Sequence, residues 1–109
     1  MVWQKSMSLV KDVYQHTCQF PKEELYGLAS QMRRAAVSVP SNIAEGQGRL
    51  SKREFKQFLG VARGSLLELE TQLIIAGELR LLSEDGVDEL LVRTGEVLLM
   101  LNGLMKSMC

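Results

Sequence analysis

Apolar residues recurring at intervals of three and four, only two prolines in 109 residues, and the absence of strand-like alternation predict an all-α chain. One domain is expected, because a single core commonly organises ~100–150 residues. The patterns place four helices at about 3–17, 22–46, 52–78 and 84–107. Short connectors favour antiparallel neighbours, which gives an up-down-up-down four-helix bundle with coiled-coil-like packing.

The first helix carries Trp3, Met7, Val10 and Tyr14 on one stripe, and it stops ahead of Pro21 because the residue before a proline disfavours helical geometry. The second opens with Glu23 and Glu24, whose charges suit the positive end of a helix dipole. Leu25, Leu28, Ala29, Met32, Ala35, Ala36, Val39 and Ile43 face inward on it. Pro40 removes a backbone donor and its ring clashes with the Ala36 carbonyl, so a kink is expected there. Ser38, Ser41 and Asn42 are placed to bond the released carbonyls. Gly46 and Gly48 end the helix.

Ser51 with Glu54 forms a capping box: the serine oxygen accepts the Glu54 N–H while the glutamate reaches back to the serine N–H. The third helix then has the cleanest pattern in the chain, with Phe55, Leu59, Ala62, Leu66, Leu69, Leu73 and Ala76 stepping as an a/d seam. Ser83 followed by Glu84 and Asp85 starts the fourth helix. That helix is expected to bury Val87, Leu91, Thr94, Leu98, Leu101 and Met105. The six methionines are read as fillers at the irregular ends of the core.

A second apolar direction crosses the first. Gly60, Leu67, Ile74 and Leu81 repeat every seven residues on a line roughly 100° from the third-helix seam, and Val92 and Leu99 do the same on the fourth helix. One bundle cannot bury both directions, so contact with another copy is expected, with ordinary scattered surface leucines as the alternative. Gly60 and Gly64 form a Gly-x-x-x-Gly that admits close approach of a backbone, from within the bundle or from another subunit.

Thirteen Lys and Arg balance thirteen Asp and Glu, so no overall field gathers phosphates or anionic lipids from a distance. No apolar run approaches the ~20 residues of a membrane span, and MVWQKSMSLVKDV lacks the features of a signal peptide, which leaves a cytoplasmic location as the expectation. Cys18 and Cys109 are isolated thiols without metal-ligand spacing, so no metal and no cofactor are predicted. His16 is the single histidine and is read as solvated. Arg34, Glu45 and Arg63 supply charges of both signs, but no nucleophile has a partner base, and an enzyme is not expected.

Two polar features remain. Arg34, Ser38, Asn42 and Glu45 share an arc of about 80° on the second helix, read as hydrogen-bonded repair of the kink or, more sharply, as a ligand site. Arg49, Lys52, Arg53 and Lys56 gather around the turn between the second and third helices, with Arg63 beyond them and Arg33 and Arg34 extending the area along the bundle. Such clusters neutralise phosphates with strong salt dependence; a solvated face with i,i+4 ion pairs is the competing reading. No aromatic stacking platform interleaves with these cations in the sequence.

The segments Tyr26-Gly27-Leu28, QMRRAAVSVPSNIAEG from Gln31 to Gly46, Phe55, Phe58-Leu59, Ala62-Arg63-Gly64-Ser65-Leu66 and Glu68-Leu69-Glu70 closely resemble the 23S ribosomal RNA intervening sequence protein family, over about residues 9–82. The resemblance implies a four-helix bundle that assembles as a ring-like homopentamer. The family is also similar to the accessory variability protein of diversity-generating retroelements, a basic pentamer that works with a reverse transcriptase and nucleic acid. On this neutral chain that likeness reaches only the local cations Arg33, Arg34, Arg49, Lys52, Arg53 and Lys56 as contacts to RNA, DNA or a nucleoprotein. The expected partners are therefore other copies of the chain and a nucleic acid, with no membrane and no small-molecule substrate. A structural or protein-binding oligomer without a nucleic-acid role is the alternative.

Overall fold

The computed structural model describes residues 1–108, so the expectation for Cys109 lies outside the described residues. The helices are α1 (Val2–Thr17), α2 (Lys22–Leu25), α3 (Leu28–Gln47), α4 (Lys52–Glu78) and α5 (Glu84–Ser107), and no strand occurs among the described residues. The long helices pack in a cycle, α1 on α3, α3 on α4, α4 on α5 and α5 on α1. The bundle is 44 Å long, about the ~40 Å that the 27 residues of α4 span at 1.5 Å each.

Where the sequence predicts one helix over 22–46, the structure has two, broken at Tyr26 and Gly27. The cause is local. The Glu24 carboxylate reaches forward to accept the Leu28 N–H at 3.4 Å and caps the start of α3 from α2, while the Glu24 carbonyl takes the Gly27 N–H at 3.2 Å in a tighter turn. Tyr26 is thrown outward at this joint.

The core confirms the α4 seam, with Leu59, Ala62, Leu66, Leu69, Leu73 and Ala76 all buried and Phe55 half-buried against them. On α1 the buried face is Ser6, Leu9, Val13 and Thr17, whereas Trp3, Met7 and Tyr14 are exposed. Two hydroxyls can enter that face because each bonds its own helix: Ser6 Oγ donates to the Trp3 carbonyl at 2.7 Å and Thr17 Oγ1 to the Val13 carbonyl at 2.7 Å. On α5 the stripe is rotated from the expected one. Leu90 and Val97 are fully buried with Thr94 and Leu101, while Val87, Leu91, Leu98 and Met105 pack at its margins.

Helix α3 runs through Pro40 uninterrupted to Gln47, so Gly46 lies inside it rather than ending it. A Cβ on Gly46 would meet Phe55 Cδ1 at 2.8 Å and Phe58 Cβ at 2.9 Å, so this glycine serves close approach of α3 to α4. Near the proline, Ser41 Oγ donates to the Val37 carbonyl at 2.8 Å and Asn42 Nδ2 to the Ser38 carbonyl at 2.7 Å. These carbonyls lie one and two residues beyond Ala36, whose donor Pro40 removes.

Both serine caps form. Ser51 Oγ accepts the Glu54 N–H at 3.1 Å, and the Glu54 carboxylate meets the Ser51 hydroxyl at 3.3 Å rather than the serine N–H. Ser83 Oγ accepts the Gly86 N–H at 3.0 Å. Between α4 and α5, Arg80 adopts a left-handed φ of 60°, which lets the Leu81 N–H reach back to the Ala76 carbonyl at 2.9 Å.

Candidate assembly face and nucleic-acid surface

The second apolar line of α4 points away from the core. Leu67 and Ile74 are exposed, Ile74 to 51%, and a Cβ on Gly60 or Gly64 would meet nothing within 4 Å. The Gly-x-x-x-Gly therefore faces open space, and close packing inside the bundle does not account for it. Ile75 and Leu79 widen the strip. Leu81 departs from it, being half-buried against the core.

On α5, Val92 and Leu99 are exposed, the latter to 75%, and Gly95 and Gly103 beside them are equally open. Arg63 Nε on α4 donates to Asn102 Oδ1 on α5 at 3.0 Å, a bond that spans the seam between the two strips. Arg63 is thus occupied in holding α4 to α5.

The polar stripe of α3 divides. Ser38 shares a hydrogen bond with Ser65 of α4 at 2.8 Å and accepts from Asn42 Nδ2 at 2.9 Å, making a bridge between the helices. Glu45 pairs with Arg49 at 3.3 Å. Arg34 has no side-chain hydrogen bond or ion pair among the described residues. Arg34, Glu45 and Arg63 are consequently three separate features and do not converge on one reacting position.

The cations also differ in how they are held. Arg49 lies over the Phe58 ring at 4.7 Å in addition to its bond with Glu45. Lys52 and Arg53 are exposed in the first turn of α4, and Lys56 follows one turn later, half-buried. Arg33 is fixed against α1: its Nε donates to Thr17 Oγ1 at 2.9 Å and its guanidinium lies over Tyr14 at 4.7 Å.

Aromatic side chains therefore do accompany the cations, contrary to the sequence reading. Tyr14, Tyr26, Arg33 and Arg34 line one shallow groove of about 570 Å³. The sequence pattern does not show it, because it puts Tyr14 on the stripe of Trp3, Met7 and Val10 and Tyr26 inside an unbroken helix. The glycine beside Tyr26, in the midst of an apparent helix, was the available signal.

His16 is also engaged rather than solvated, with Nδ1 2.8 Å from the Asp12 carbonyl and Nε2 3.2 Å from Glu89. Arg93 joins the same seam through Asp12 and Glu89, and the bond and charge of Asp12 hold its pKa above the ordinary guanidinium value. Among the described residues no His, Cys, Asp and Glu side chains cluster with a metal-holding geometry, and no helix is long and apolar enough to cross a membrane.

The sequence profile of the 23S rRNA-intervening sequence protein family matches residues 1–103. A search of curated proteins finds no match. Among solved structures, the fold is similar to a protein of unknown function from the S23 ribosomal protein family of Bacteroides thetaiotaomicron, with a TM-score of 0.87 at 18% identity over 97% of this chain and 99% of that one.

Proposed function

The chain belongs to the 23S rRNA-intervening sequence protein family, and from that premise we propose that it is a non-enzymatic, homo-oligomeric helical scaffold whose basic edge engages nucleic acid or a nucleoprotein in the cytoplasm. The observation that carries this reading is the outward strip of α4, where exposed Leu67 and Ile74 continue a line begun by two open glycines. Exposed apolar surface beside open backbone is suited to close packing against another copy, and the family resemblance supplies five as the number of subunits. The α5 strip at Val92 and Leu99 extends the same contact.

Within each subunit the helices alternate up and down. Supporting this course, His16 pairs with Glu89 and Asp12 with Arg93, so a step of one turn along α1 matches a step of one turn the other way along α5. Helix α3 bends at Pro40, a reading supported by the missing donor and the crowding at Ala36.

The nucleic-acid role is supported by the placement of Lys52 and Arg53. Cations in the first turn of a helix meet the positive end of its dipole, a mild cost to the free fold that an anionic partner reverses. Binding of labelled RNA and DNA across a salt series tests it. Affinity is expected to fall steeply with salt and to weaken when Arg49→Glu is combined with Lys52→Glu. Absence of binding at low salt would leave a structural or protein-binding oligomer, a reading that the Glu45–Arg49 ion pair favours.

A further inference from the structure

The groove between α1 and the α2–α3 joint combines features that neither cation cluster nor aromatic residue has alone. Arg33 is immobilised on one side, because Thr17 Oγ1 accepts from its Nε at 2.9 Å while passing its own hydrogen to the Val13 carbonyl. Its guanidinium carbon lies over the Tyr14 ring, 4.7 Å from the centroid. Among the described residues neither terminal nitrogen of Arg33 has a hydrogen-bond or ion-pair partner. A guanidinium whose stem is already ordered loses less entropy when its outer edge takes up an oxyanion.

Arg34 stands beside it, exposed and likewise unpaired among the described residues; none of their carboxylates lines this groove, Glu68 sharing only the adjoining hollow with Arg34. Glu24, the nearest acid along the chain to the joint on the α2 side, spends an oxygen on the Leu28 N–H. Two guanidiniums without an ion pair among the described residues, next to the Ser30 hydroxyl, select an anion. Tyr26 adds a different demand. Its side chain is 94% exposed at the rim, a large ring turned to solvent where the chain leaves the helical path.

We infer that this groove is a site for single-stranded nucleic acid, with a nucleobase stacked on Tyr26 and the adjoining phosphates on Arg33 and Arg34. The inference rests on the nucleic-acid reading above and goes beyond it by specifying strand form and contacts. A duplex keeps its base faces covered, so an aromatic ring gains a base only where bases are splayed out. A phosphorylated peptide would use the two arginines but has no need of an exposed ring.

The test uses the intact protein with four fluorescent probes: an oligothymidylate of about 20 nucleotides, an abasic strand with the same phosphates, a duplex of equal length, and a phosphotyrosine peptide. The single strand with bases is expected to bind tightest. Tyr26→Ala is expected to weaken it about tenfold, with Tyr26→Trp restoring affinity, and to leave the abasic strand nearly unaffected. Arg34→Gln is expected to lower the log–log salt slope by about 0.7. Both side chains are exposed, so circular dichroism should show each variant folded.

Equal binding of the abasic strand, preference for the duplex, tighter binding of a phosphotyrosine peptide, or no effect of Tyr26→Ala would overturn this inference alone. No binding of any nucleic acid at low salt would overturn it together with the reading on which it rests.

Discussion

Gly46 of α3 and Phe58 of α4 pack so closely that a Cβ on the glycine would stand 2.9 Å from the Cβ of the phenylalanine. The crowding atoms are the root of Phe58 and the carbonyl of Phe55 as well as a ring edge, so rotation of one side chain does not relieve it. Gly46→Ala is expected to destabilise the fold by ~1–3 kcal/mol despite the better helix propensity of alanine. Urea unfolding should show a lower midpoint at an unchanged slope.

Gly60 and Gly64 present the opposite case, since nothing lies within 4 Å of a Cβ at either position. Each change to alanine is expected to stabilise the folded subunit by ~0.5–1 kcal/mol through helix propensity. The same change should weaken association, because it adds bulk where a second copy approaches. Thermal melts together with sedimentation over a concentration series separate these effects; stabilisation with undiminished assembly would place the contact elsewhere.

Arg80 holds a left-handed φ of 60° at the end of α4. An L-residue with a Cβ is disfavoured there by ~1–2 kcal/mol, and glycine returns part of that through its more flexible unfolded state. Arg80→Gly is expected to stabilise the protein by ~0.5–1 kcal/mol, read as a rise of a few degrees in Tm.

Pro40 is buried and interrupts the donor pattern of α3. If Pro40 shapes the subunit for assembly, Pro40→Ala should keep helical content by circular dichroism while reducing the assembled mass. Unchanged assembly with a higher melting temperature would mean that the proline is merely tolerated.

The parts of this fold legible in the sequence are those where one physical demand dominates. The seam from Leu59 to Ala76 steps regularly by three and four and is buried as its period predicts. Helix α5 carries leucine and valine on most sides, so periodicity did not distinguish the Leu90 and Val97 face from the margin at Leu91 and Leu98. In α1, burial of Ser6 and Thr17 depended on hydroxyls bonding their own helix, a satisfaction that composition does not display. The basic residues were visible one by one, but the groove required Tyr14 of α1 to be brought together with Tyr26 of the α2–α3 joint. That followed from the Glu24 cap and the break at Gly27, which an averaged helical pattern conceals.

If other copies of the chain cover the outward strip of α4, sedimentation of the wild-type protein at micromolar concentration, beside Ile74→Asp, will reveal it. The expected wild-type particle is several times the 12.2 kDa of one chain, near fivefold if the ring forms, with smaller species of unchanged helicity for the variant. A wild-type particle of 12.2 kDa would rule out assembly through this strip.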